Sequence, residues 1–211
     1  MSEVRQGRRP NEPRDLTTGT LQDVLDTLNI REWDAVIVGD GSGSGWNQGA
    51  GWASVVIKRD GRRSPLLLGA YNTGTVNVAE LKALLHGLMW LDEEGNGQDL
   101  RRQKGGMVNV HLITDSEITV NQGNGRYAAK GVTRILWGAV RTLERDGYRL
   151  HFHWYARDLI QLNMLCDHAS RQARLAVEPL TIGRLLDSDA LTVYDFNPMA
   201  TQAPRGPTQG G

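Results

Sequence analysis

Four acidic side chains stand out by position: Asp40 in "VIVGDGSGSG", Glu80 in "AELKALLHGL", Asp115 in "ITDSE" and Asp167 in "LCDHAS". Asp40 closes an apolar run and leads straight into glycines and serines, and Asp115 closes another such run. Carboxylates at the ends of neighbouring strands, joined by one from an adjacent helix, repel one another strongly unless a cation sits between them. Hard divalent ions such as Mg²⁺ accept such oxygen ligands and usually bind substrate phosphate as well. Two such ions, ~3.5–4 Å apart, stabilise the attacking and leaving oxygens of an in-line phosphoryl transfer. The chemistry open to this set is cleavage of a phosphodiester.

Each acid also has a plainer explanation. Asp40 could begin a Gly-rich turn. Glu80 lies three residues after Asn77, the spacing of a capping box. Asp115 could cap a short helix after its strand, and Asp167 could form a surface ion pair with Arg171 four residues on, worth ~0.3–0.5 kcal/mol. Taken one at a time, the plain readings win. Only convergence of the four would favour the chemistry.

Convergence depends on the elements between them. After a polar start, Leu21, Val24, Leu25 and Leu28 share one helical face, with Thr20 as N-cap. This helix either packs on the main domain or serves as a docking element. "AVIVGD", "GWASVVIKRDG" and "SPLLLGAYN" read as three strands of an antiparallel meander, turned at Asp60–Gly61. "NVAELKALLHGLMWLDEEG" has Leu81, Leu84, Leu85 and Leu88 at helix spacing, capped by Asn77 and ended by Gly95. "MVNVHLIT" is a fourth strand and "DSEITVNQG" a short helix. "GVTRILWGAVRTLERDG" is a helix whose apolar stripe is Val132, Ile135, Leu136, Ala139, Val140 and Leu143. "YRLHFHWYA" is a fifth strand and "IQLNMLCDHASRQARLA" a last helix. On that helix Leu162, Leu165, Cys166, Ala169 and Ala173 form the apolar side, and Asp167 shares a polar flank with Asn163, Ser170 and Arg174. The order βββ-α-β-α-α-β-α, preceded by one helix, implies an α/β fold: a five-stranded mixed sheet with helices on both faces.

The 211 residues are 39% hydrophobic and 23% charged, ordinary for a globular chain with one medium domain and tails. The expected division is an Arg-rich tail and short helix over 1–33, the main domain over 34–178, and an extension over 179–211. The 24 basic and 24 acidic residues argue against a strongly basic, non-specific nucleic-acid binder, though not against a local patch or charge offset by metal ions. Cys166 is the single cysteine, so there is no internal disulfide. With neither a membrane-length apolar stretch nor a secretory segment at the start, the expected location is the cytosol.

Read together, "GDGSGSG" (Gly39–Gly45), "AELKALLHGL" (Ala79–Leu88), "ITDSE" (Ile113–Glu117) and "HWYARDLIQLNMLCDHA" (His153–Ala169) resemble the type 1 ribonuclease H family, over roughly Asp34 to Ala176. The resemblance implies a ribonuclease H-like fold and a monomer that cuts the RNA strand of RNA–DNA hybrids, leaving 5′-phosphate and 3′-hydroxyl ends. It implies two Mg²⁺ ions, replaceable by Mn²⁺, held by Asp40, Glu80, Asp115 and Asp167. It further implies that Gly41, Ser42, Asn77 and Ser116 contact substrate. Gly41 is then expected to let ribose and phosphate approach without a side chain in the way. Minor-groove and 2′-hydroxyl contacts suit an A-like duplex, so little base preference is expected.

Three departures are visible. Asp158 stands where the family often carries a mobile histidine, a contribution of ~10²-fold in general acid–base catalysis. Glu117 occupies the place of a family glutamine, and no basic protrusion is evident, so hybrid affinity would be modest or supplied by a partner. One alternative keeps the fold but changes the nucleic acid, as in recombinases, resolvases and packaging nucleases; hybrid and duplex substrates discriminate these. Another is a non-catalytic binding or assembly module, discriminated by metal titration. The Arg-rich start, Arg5 to Arg14, could touch phosphate, with a solvated tail the favoured role; either it or "LLDSDALTVYDFNPM" could dock a protein partner, with packing on the domain the favoured role of the second.

Overall fold

The structure is a computed structural model that describes residues 20–43, 49–72, 74–93, 98–156, 161–177 and 192–193. Strands β1 (Ala35–Gly43), β2 (Ala50–Lys58) and β3 (Leu67–Tyr71) form the expected antiparallel meander. Strand β4 (Val108–Thr114) lies parallel to β1, and β5 (Tyr148–Trp154) parallel to β4. A sixth strand, β6 (Thr192–Val193), lies parallel to β3, giving the order β5-β4-β1-β2-β3-β6. The C-terminal extension thus reaches the sheet edge at one point, which the sequence reading of five strands had not included.

The period-two alternation of β1 decides what each face receives. Ala35 and Ile37 point to the cluster built with α2 (Val76–Asp92) and α5 (Gly131–Arg145), through Leu81, Leu84, Leu88, Trp137 and Val140. Val36 and Val38 point the other way, against Val24 and Leu25 of α1 (Leu21–Thr27). On that same side α6 (Gln161–Val177) lays Cys166, Ala169 and Ala173 over Ala53 and Val55 of β2. So α1 packs on the sheet, capped by Thr20 as its sequence suggested.

Several local expectations are corrected. Thr75, not Asn77, caps α2: its hydroxyl accepts from the Val78 amide at 3.4 Å, and Asn77 lies inside the first turn. Glu93 rather than Gly95 ends that helix. A helix with little apolar face, α3 (Gln98–Lys104), precedes β4 and had not been anticipated. On α5 the apolar stripe is wider than the core contact, so Val132 (56% exposed) and Ile135 (72%) face outward while Trp137 and Val140 are buried. Residues 1–19, 44–48 and the extension apart from β6, with Asp158 and Gly95, lie outside the described residues.

Candidate active site

The site begins where two strands part. β1 pairs with β4 only from Ala35↔Val110 to Val38↔Ile113. Beyond Val38, β1 stays with β2 as far as Gly43↔Ala50, whereas β4 continues beside β5 to Thr114↔Trp154. Asp40 lies just past this fork on one branch and Asp115 directly after the other. A crevice at the carboxyl ends of diverging strands is where open α/β sheets gather functional groups. Asp40 therefore sits inside β1 rather than ending it. Its glycines continue the ladder with β2, so the turn explanation fails.

Glu80 arrives from above. A β-carbon on Gly41 would collide with the Glu80 amide nitrogen and lie 2.5 Å from the Ala79 carbonyl carbon. The missing side chain lets α2 press onto β1, and the space above Gly41 is filled by protein. One carboxylate oxygen each from Asp40, Glu80 and Asp115 then lie within 4.8 Å of one another. Asp40 and Glu80 are buried and Asp115 partly so. Burial raises the Glu80 carboxyl well above its usual range, and the charges of Asp40 and then Asp115 push it further. Hydrogen bonds from the Thr114 hydroxyl and the Gly41 amide oppose this; Thr114 Oγ1 donates to Glu80 Oε2 at 3.1 Å. Such a raised carboxyl among like charges is what a divalent cation would relieve, and three hard oxygen donors suit Mg²⁺ or Mn²⁺.

The surroundings hold these groups in place. Trp154 Nε1 donates to the Asp115 carbonyl at 3.0 Å. Ser116, and not Asp115, caps α4 (Glu117–Gly123). Ser170 Oγ donates to Asp40 Oδ2 at 2.9 Å. Asp167 stands outside the three-acid set: it is one turn earlier on α6 and ion-paired with Arg171 at 3.0 Å. The convergence expected of four acids is realised by three among the described residues.

Of the expected substrate contacts, Gly41 is buried and Ser42 accepts from Arg174 Nε at 3.1 Å. Asn77 lines a cleft of about 670 Å³ together with Tyr71, Thr75, Lys82, Gln122 and Lys130. Lys82 Nζ lies over the Tyr71 ring, 4.2 Å from its centre, and burial lowers its pKa. Thr114, Ser170, Lys82 and Lys130 were not singled out from the sequence. Only the polar flank of the last helix hinted at Ser170.

No protein-family model and no curated protein matches the sequence. Solved structures do. The N-terminal RNase H domain of rv2228c from Mycobacterium tuberculosis, solved as a fusion with maltose binding protein, matches at 25% identity with a TM-score of 0.52, over 70% of this chain and 97% of that one. LC11-RNase H1 in complex with an RNA/DNA hybrid matches at 23% with a TM-score of 0.54, over 68% and 99%. LC11-RNase H1 isolated from compost by a metagenomic approach matches at 23% and 0.50, over 70% and 99%. The chain thus has the ribonuclease H-like fold, in the arrangement of the ribonuclease H domains it resembles.

Proposed function

We propose that the protein is an endoribonuclease that hydrolyses the RNA strand of RNA–DNA hybrids, giving 5′-phosphate and 3′-hydroxyl ends. Its working unit is the domain over 34–178, acting as a monomer in the cytosol; the flanks over 1–33 and 179–211 are places for a protein partner. No helix among the described residues is long and apolar enough to cross a membrane. One observation carries the reading: three carboxylates from separate segments lie within 4.8 Å of one another at the fork of β1 and β4.

Asp40, Glu80 and Asp115 would hold two Mg²⁺ or Mn²⁺ ions, with Asp167 completing the set from α6. Bound there, the ions would supply an activated water and charge stabilisation at the scissile phosphate. The chain's own groups do the rest. Thr114 keeps the Glu80 carboxylate turned toward the fork, and Trp154 fixes the backbone that presents Asp115. The cleft between the starts of α2 and α5, with Asn77, Lys82 and Lys130, suits a nucleic-acid backbone. The hybrid bound by LC11-RNase H1 supports this substrate class.

The test compares hybrid, duplex DNA and duplex RNA with Mg²⁺, Mn²⁺ or EDTA. Hybrid cleavage that needs the ion, and disappears in Asp40→Asn and Asp115→Asn, is the expected result. Asp167→Asn should cost less, ~10–100-fold, and recover as the ion concentration rises. Activity surviving in folded Asp40→Asn would overturn the assignment.

A further inference from the structure

We propose that Ser170 is a positioning residue for Asp40, one rung of a side-chain ladder by which α6 aligns both the metal-binding acid and the segment after it. The proposal rests on the metal-centre reading of Asp40, Glu80 and Asp115. Three hydrogen bonds define the ladder. Cys166 Sγ donates to the Val38 carbonyl at 3.6 Å, Ser170 Oγ to Asp40 Oδ2 at 2.9 Å, and Arg174 Nε to Ser42 Oγ at 3.1 Å.

The spacing is a physical match. The donors recur every four residues on a helix, a rise of ~6.0 Å. The acceptors recur every two residues on a strand, a rise of ~6.4–6.8 Å. With α6 running in the same direction as β1, the two repeats stay in step across three rungs. Depth is fixed independently at the next strand. A β-carbon on Gly51 of β2 would collide with the Ser170 carbonyl oxygen and lie 2.5 Å from the Arg174 nitrogen. The helix backbone therefore rests directly on the sheet at the level of the second and third rungs.

Ser170 is fully buried, as are Asp40 and Cys166. Its single hydroxyl proton has two acceptors in reach, Asp40 Oδ2 and the Asp167 carbonyl at 3.0 Å. A carboxylate is the stronger acceptor, so the proton goes to Asp40. That bond pins one oxygen of Asp40 and fixes the plane of the carboxylate before any ion arrives. Partners of this kind orient ligands, and their loss typically costs 10–100-fold in metal affinity or activity. The same helix, one turn on, holds the Ser42 hydroxyl through Arg174. Acid and the strand segment after it are thus registered by one rigid element.

The test is Mn²⁺ binding by calorimetry to the full chain, its Ser170→Ala variant and its Ser170→Cys variant, with thermal midpoints measured without metal. Ser170→Ala should bind Mn²⁺ ~10–100-fold more weakly while remaining folded. Its hybrid cleavage should shift to higher Mn²⁺ and recover when the ion is raised. Ser170→Cys, of similar size with a weaker donor, should fall between the two and carries the test should the alanine variant not fold. A folded variant that binds Mn²⁺ like the wild type overturns the positioning role while leaving the metal centre standing. Wild-type protein that takes up no Mn²⁺ overturns both.

Discussion

Gly41 and Glu80 meet backbone to backbone: the strand residue lacks a side chain where the amide of the helix residue rests. This contact brings α2 down onto β1 and delivers Glu80 to the crevice where β1 and β4 part. A glycine that reads as an opening for substrate is, in the folded chain, an opening for the helix.

Gly41→Ala should therefore be damaging through packing. The new methyl would meet backbone atoms that cannot rotate away, and overpacking of this kind typically costs ~1–3 kcal/mol. Displacement of Glu80 should also remove Mn²⁺ uptake. Gly138→Ala is the control, since a β-carbon there meets nothing within 4 Å inside a helix, and it should stabilise by ~0.5–1 kcal/mol. Urea unfolding of the pair checks both signs; a neutral Gly41→Ala would contradict the contact.

Neutralising Glu80 should strengthen the protein while ending its response to metal. Its carboxyl is buried beside Asp40 and Asp115, which disfavour its charge. Glu80→Gln keeps the shape and removes that repulsion. A gain of about 1 kcal/mol would raise the metal-free thermal midpoint by ~2–4 °C for a domain of this size. Added Mn²⁺ should then shift the variant's midpoint far less than the wild type's. A lower metal-free midpoint would argue against crowded charge at the site.

A cluster of histidines should lower stability as the pH drops from about 7 toward 5, against the opposite contribution of the raised Glu80 carboxyl. On the face of β4 and β5 away from α2, His111 Nδ1 and His153 Nε2 are 2.9 Å apart, and His111 stacks on His151 as well. Burial, then the neighbouring histidines His111 and His151, hold His153 down to about 4, and burial lowers His111 and His151 too. The hydrogen bond to the Glu32 carbonyl and then Asp34 oppose the shift at His111, and Arg149 adds to it at His151. Because the folded pKa lies below the unfolded value near 6.5, the unfolded chain binds more protons in that window, so acid favours unfolding. His86, also near 4, acts in the same direction. His153→Gln should flatten, without abolishing, the dependence of the metal-free midpoint on pH; an unchanged slope would rule the cluster out.

Much of this was legible because it is local or periodic. The Thr20 cap, the meander and the mixed sheet follow from caps, turn residues, apolar runs and the later alternation of helix and strand. Asp40 and Asp115 could be brought together from strand ends, and Glu80 from the helix between those strands. What escaped depends on distant partners. "GSG" after Asp40 reads as a turn, yet pairing with β2 keeps it extended. "QDLRRQK" offers too little apolar periodicity to reveal α3. The α5 stripe gave a face without saying how much of it the core could cover, so Val132 and Ile135 were assigned inward. A helical wheel placed Asp167 and Ser170 on one flank, but only the register of α6 against β1 decides which of them meets Asp40.

The fork between β1 and β4 has one more consequence. Its three acids come from segments that touch nowhere along the chain, so no fragment can present them before the sheet and α2 have closed together. Ion capture at this site would then be an all-or-none property of the native state, and an ion with no foothold on the unfolded chain would strengthen folding as RT ln(1 + [ion]/Kd). Under the proposed function, cation supply and structural integrity would be coupled in one equilibrium, which would make the thermal response to Mn²⁺ a direct gauge of how much of the population is correctly assembled.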